Sequence, residues 1–164
     1  IMGHVGNVRD ANVIKIIPDM VDELTVLKNQ VDFEYMVSDV VPHIIYQLEK
    51  RNYIKKEPVF DGLDSSFVFA YEDKLFYISG DASVIEIDDC IALGSGRSQA
   101  TGSLLCTSGE KPFDRIIKAI KASAANDIYV DYPIILTDTE SCEFTVLYEA
   151  DLKEEDKDEN RKQK

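Results

Sequence analysis

The chain has 164 residues, 45% of them hydrophobic and with 8 Tyr and 7 Phe among them, which fits one domain of ordinary size with a substantial core. Its 31 acidic against 18 basic residues leave a net charge of −13, which argues against nucleic acid or an anionic membrane as a partner, since each phosphate contact needs a cation. No apolar run is long enough to span a bilayer and no export signal opens the sequence, so we expect a cytoplasmic protein with no membrane partner.

The chain starts on Ile1, and Met2-Gly3-His4-Val5-Gly6 reads as the second half of a strand, from which we expect that the first strands of the fold lie upstream. From Asp10 to Leu27 apolar residues recur at helical spacing, with Pro18 expected to kink or split the run. Asp32 is a good N-cap for a second helix, with Phe33, Met36, Val37, Val40, Val41, Ile44, Ile45 and Leu48 on a broad apolar face and Pro42 predicting a bend. Residues 52–64 read as a polar loop. The period then changes from helical to extended. Ser66–Tyr71 and Leu75–Ser79 flank the short polar turn Glu72-Asp73-Lys74, which is a hairpin signature, and Ser83–Ile87 continues it.

Cys90-Ile91-Ala92-Leu93 reads as a strand emptying into the turn Gly94-Ser95-Gly96-Arg97. A short helix of small residues is expected over Gln99–Cys106. A clearer one follows over Lys111–Ala125, with Phe113, Ile116, Ile117 and Ile120 inward and Lys118 and Lys121 in solvent. Tyr132–Leu136 and Cys142–Tyr148 read as closing strands. Helices layered over antiparallel sheets, an α+β class, follow from this order. We take residues 1–150 as the domain and 151–164 as a charged, disordered tail unable to bury a face. Cys90, Cys106 and Cys142 are odd in number and lack ligand spacing, so they read as reduced packing residues. His43, beside Pro42, reads as structural.

Three ordered segments carry a family likeness: Gly3-His4-Val5-Gly6-Asn7-Val8-Arg9-Asp10-Ala11, then Gly80-Asp81 through Ile91-Ala92-Leu93-Gly94-Ser95-Gly96, then Ala119–Ala125 leading into Asp127-Ile128-Tyr129-Val130. Over residues 1–149 the chain resembles the proteasome β-subunits and the bacterial two-ring peptidase that works with an unfoldase ATPase. The resemblance implies a four-layer αββα sandwich of antiparallel sheets, incomplete here at its N-terminus. It also implies an N-terminal nucleophile hydrolase, in which a threonine hydroxyl attacks a peptide carbonyl and the free α-amine takes the proton. That nucleophile is not in this sequence, because Ile1 has no hydroxyl.

What the resemblance assigns here is a supporting shell. Gly6 matches the glycine whose N–H faces the developing oxyanion. Ser95 matches the serine that hydrogen-bonds near the nucleophile's amine, and Asp127 the aspartate that orients serine and amine. His4 and Val8 fall where the family lines its first specificity pocket. The carbonyls of Ala124, Asp127 and Val130 match a loop that binds a cation in some bacterial relatives, and no other cofactor is expected. The pattern departs at Val130, where proteasome subunits usually have a serine.

Each residue also has a purely structural reading: Gly6 as a glycine leading into a helix, Ser95 as a turn residue, Asp127 as a helix end, His4 as a histidine at the edge of the core. The expected function is a threonine-type peptidase subunit of a homo-oligomeric ring acting on polypeptides, with an unfoldase ATPase as a partner. The two Pro-bent helices are candidate ring contacts. A non-catalytic structural subunit of the same fold is the alternative. A phosphate-binding reading of the Gly94-Ser95-Gly96 turn ranks below both, because the lysine and spacing of a P-loop are absent.

Overall fold

In the computed structural model, residues 1–16, 31–54 and 62–152 are described. The second part of the Asp10–Leu27 run with its Pro18, the middle of the 52–64 loop and the tail beyond residue 152 lie outside them. Chain contacts fall into two compact units, Ile1–Asp89 and Cys90–Lys164.

The first unit opens on β1 (Met2–Gly6), followed by helix α1 (Val8–Lys15). The helix starts earlier than its apolar pattern suggested, because the Asn7 side chain accepts the Arg9 N–H and caps it. Asp10 therefore falls in the first turn, where it is buried. Asp32 caps the next helix as expected, its carboxylate accepting the Tyr35 N–H at 2.8 Å. That helix begins as α2 (Phe33–Tyr35), passes through a π turn (Met36–Val40) and continues as α3 (Val41–Glu49).

The π turn is how the chain absorbs Pro42. The Val41 N–H reaches back five residues to the Met36 carbonyl, and Pro42, which has no N–H, follows in the first turn of α3. The wider turn also narrows the apolar stripe. Met36, Val40, Ile44 and Leu48 are buried at every fourth position, whereas Phe33 and Val37, expected on the same face, are exposed.

β2 (Ser65–Tyr71), β3 (Lys74–Ile78) and β4 (Val84–Glu86) follow as an antiparallel meander, and the sheet order is β1-β2-β3-β4. The hairpin register pairs Phe67 with Ile78 and Phe69 with Phe76. Alternation along β2 places Ser65, Phe67 and Phe69 inward. These side chains meet Val13 of α1 and the stripe of α2–α3 in one core.

In the second unit the stretch 90–93, expected to be a strand, is irregular; among the described residues no strand pairs with it, and β-propensity alone does not make a ladder. Helix α4 (Arg97–Cys106) packs against α5 (Pro112–Ala124), and β5 (Ile134–Leu136) pairs antiparallel with β6 (Thr145–Leu147). The buried positions of α5 are the small Ala119 and Ser123, while Phe113 and Ile116, expected inward, are largely exposed. Ile134 and Leu136 pack with Leu152. The second residue past position 150 thus buries its side chain, contrary to the expectation for the tail, because its leucine is the one apolar group among those charges. Cys106 and Cys142 are exposed rather than packed, and Cys90 is half-buried. No described helix is long and apolar enough to cross a membrane.

Truncating Ile44, which is fully buried, to alanine is expected to destabilise the protein by about 2–5 kcal/mol in urea unfolding. Ile135→Ala, on a side chain exposed at 59%, should change stability by no more than about 0.5 kcal/mol.

Candidate functional site

Two surfaces hold the residues singled out by sequence, one in each unit.

In the first unit Gly6 ends β1 with φ at +121°, a conformation that L side chains rarely adopt. A β-carbon here would lie 2.6 Å from the Asp64 carbonyl oxygen and 2.7 Å from Ser65 Cα, so the position tolerates only glycine. Strand pairing then fixes where its amide points. Ile1 and Ala70 exchange both backbone bonds, at 2.8 and 2.9 Å, and the Asn7 N–H donates to the Asp64 carbonyl at 3.1 Å. Because hydrogen-bonded and non-bonded pairs alternate in an antiparallel ladder, the Gly6 and Ser65 pair between them is a non-bonded one. The Gly6 N–H therefore projects from the outer edge of β1, which among the described residues carries no neighbouring strand. A bare amide on an exposed glycine suits the binding of a negative oxygen.

His4 stacks on Phe67, their ring centroids 6.3 Å apart, beside a cavity of about 420 Å³ that Met2, Ile14, Lys15 and Phe69 also line. Val8 is exposed and borders a different hollow with Arg9, Asn12, Ile16, Arg51 and Tyr53. His43 meets Gln47, ring nitrogen to amide at 3.4 Å, within its own helix.

In the second unit the turn Gly94-Ser95-Gly96 leads into α4, and the end of α5 turns through Asp127 to Val130. The structure brings Ser95 and Asp127 into hydrogen-bond contact. The Ser95 hydroxyl, and after it the Tyr129 N–H at 2.9 Å, hold the Asp127 carboxyl below the usual carboxylate range. At neutral pH Asp127 is an ionised acceptor that fixes the direction of the Ser95 hydroxyl. Of the three carbonyls expected to hold a cation, that of Asp127 already accepts the Val130 N–H at 3.1 Å.

Ser123 did not stand out in the sequence, and it is what joins the two turns. Its buried hydroxyl lies 2.9 Å from the Gly96 carbonyl and 3.0 Å from that of Ala119, while its own carbonyl accepts the N–H groups of Asn126 and Asp127. A β-carbon on Gly96 would lie 2.7 Å from Ser123 Cβ and 3.0 Å from Val130 Cγ2. The signal available was the pairing of small residues, Gly96 and Ala100 on α4 or its cap with Ala119 and Ser123 on α5. Beside them is a cavity of about 360 Å³, walled by Leu93, Leu104, Ile116 and Ile120, which Ser95 and Tyr129 also line. No cluster of His, Cys, Asp or Glu fit for a metal occurs among the described residues.

This fold is proteasome-like. It is similar to that of BPH from Thiobacillus denitrificans, solved alone and in complex with epoxomicin, with a TM-score of 0.62 and 14% identity over 90% of this chain and 74% of that one. Eukaryotic HslV from Trypanosoma brucei is also similar, with a TM-score of 0.57 and 18% identity over 90% of this chain and 75% of that one. No family model and no curated protein matches the sequence.

Gly96→Ala is expected to cost about 1–3 kcal/mol in urea unfolding, from the forced contact with Ser123 and Val130. Ser95→Ala should raise the Asp127 pKa toward its ordinary value, read by carboxyl NMR titration. Since the native pKa is the depressed one, the Ser95–Asp127 contact is fully present above the ordinary carboxylate pKa and is lost as pH falls through the lowered native value.

Proposed function

We propose that this chain is a threonine-type peptidase subunit, a cytoplasmic N-terminal nucleophile hydrolase of four-layer αββα architecture that cuts polypeptides within a homo-oligomeric ring fed by an unfoldase ATPase. The observation that carries the reading is the Gly6 amide, exposed and aimed off an edge of β1 that no strand covers among the described residues. The similarity to a protein solved with epoxomicin supports it at the level of fold.

In this reading a nucleophilic hydroxyl, assigned to no residue of 1–164, adds to the substrate carbonyl and its proton passes to an α-amine. Negative charge gathers on the former carbonyl oxygen, and the Gly6 N–H stabilises it there. Ser95, its hydroxyl hydrogen directed at ionised Asp127, accepts from the amine and fixes its orientation. His4, on the cavity it lines with Phe67 and Phe69, selects the side chain before the cut, and a cation on the carbonyls of Ala124, Asp127 and Val130 would stiffen the turn that carries Asp127.

A non-catalytic subunit is the second reading, and Val130 favours it. This side chain packs toward Gly96 and brings no hydroxyl to the turn where proteasome subunits usually have one.

A labelled peptide epoxyketone, incubated with the full-length protein and followed by mass spectrometry, separates the two. Capture on an N-terminal threonine, slowed by about 10²-fold in Asp127→Asn, is the expected result. Absence of capture in protein shown to be folded overturns the peptidase and leaves the structural subunit.

A further inference from the structure

Asp10 is wholly buried, yet no role assigned above uses it. It sits in the first turn of α1, and one of its carboxylate oxygens accepts the Ser65 hydroxyl at 3.0 Å. The other carboxylate oxygen has no hydrogen bond and lies 3.7 Å from Arg9 Nε. A carboxylate so placed needs compensation, and the helix N-terminus and the arginine supply part of it. Ser65 is itself buried, and its hydroxyl oxygen accepts the Asn7 N–H at 3.0 Å.

The sequence of donors is therefore directional. The Asp10 oxygen accepts the Ser65 hydroxyl, so it draws the Ser65 hydrogen toward itself. That leaves the Ser65 oxygen free to receive the Asn7 N–H, which it shares with the Asp64 carbonyl at 3.1 Å and which belongs to the same peptide unit as the Gly6 carbonyl. The alternative acceptor for Ser65 is the Asn7 carbonyl at 3.3 Å; if the hydroxyl turned there, the bond to Asp10 would be lost. Since Gly6 packs directly on Ser65 with no β-carbon between them, the peptide plane after Gly6 is held by this chain and the plane before it by the ladder.

We propose that Asp10 is a positioning residue that acts through Ser65 to lock the peptide unit joining Gly6 to Asn7, and with it the backbone immediately after the Gly6 amide. The structural part stands on the geometry alone; the consequence for turnover rests on the oxyanion role proposed for Gly6.

Two measurements keep these apart. Amide hydrogen exchange followed by NMR on the full-length protein reads the lock without any activity. In Asp10→Asn and Ser65→Ala the Asn7 amide should exchange about tenfold faster than in the native protein, and the Gly6 resonance should shift, with Ile135 in the other unit unchanged. Ser65→Ala removes no buried charge, so it reports even if Asp10→Asn fails to fold. Unchanged exchange at Asn7 in folded Ser65→Ala overturns the proposal. Peptide hydrolysis is the second measurement, with kcat in Asp10→Asn expected to fall about 10- to 100-fold at nearly constant KM. Loosened exchange with native kcat overturns the catalytic consequence. A native protein that cuts no peptide overturns the peptidase reading, while the exchange experiment still decides the lock.

Discussion

Backbone approaching closer than a β-carbon allows is the constraint on which both surfaces depend. At Gly6 the strand end lies against Asp64 and Ser65, and at Gly96 the helix cap lies against Ser123 and Val130, each with room for hydrogen alone. The consequence is chemical as well as steric. A chain that close lets a buried serine reach backbone polar groups: Ser65 receives the Asn7 N–H and Ser123 donates to the Gly96 carbonyl. The Ser65 hydrogen goes to the Asp10 carboxylate, and the single Ser123 hydrogen is shared between the Gly96 and Ala119 carbonyls. Turns that would otherwise sample many backbone states are thereby fixed, and fixed geometry is what an oriented amide or hydroxyl needs.

The same logic explains why polar groups are tolerated inside. Buried hydroxyls cost stability unless their bonds are made, and Ser65 and Ser123 make them to fixed partners. In the first unit the aromatic layer of Phe67, Phe69 and Phe76 against Met36, Ile44 and Leu48 supplies the apolar burial that offsets such costs. The second unit has a smaller apolar cluster around Ile134, Leu136 and Leu152, and its helix pair meets through small residues.

Much of this was legible in the sequence because it is periodic. The β2–β3 hairpin is written in alternating aromatic residues about a two-residue polar turn, and the Asp32 cap and the spans of α4 and α5 follow from spacing. What escaped depends on partners far along the chain. Residues 90–93 have strand composition and no strand beside them among the described residues. Val37 left the buried stripe where a π turn, which accommodates the donor that Pro42 lacks, changes the helical period, and Phe33 in the turn before it is exposed as well. Of the candidate site, glycines and the Ser95–Asp127 pair were readable through ordered motifs. Ser65, Ser123 and the depth of Asp10 were not, since Asp10 and Ser65 are 55 positions apart and Ser123 and Gly96 are 27 apart.

A buried acid is a poor way to gain stability, which makes its presence at Asp10 informative. Taking a carboxylate out of water is costly, and an apolar side chain of similar size would fill the space between α1 and β2 more cheaply. An apolar residue would leave Ser65 free to donate to the Asn7 carbonyl instead, and the hydrogen-bond order at the Gly6 turn would no longer be unique. A neutral amide such as asparagine presents a donor as well as an acceptor and so admits both orders. A carboxylate oxygen that accepts states one direction, from Asn7 N–H to Ser65 to Asp10. The energy lost on burial is thus exchanged for conformational specificity at one peptide unit, the unit that follows the amide aimed off the edge of β1. Arg9 completes the arrangement from the solvent side, lying over the Tyr53 ring at 4.7 Å while its charge faces both Asp10 and Asp64, so that the buried carboxylate is compensated without opening the turn to water.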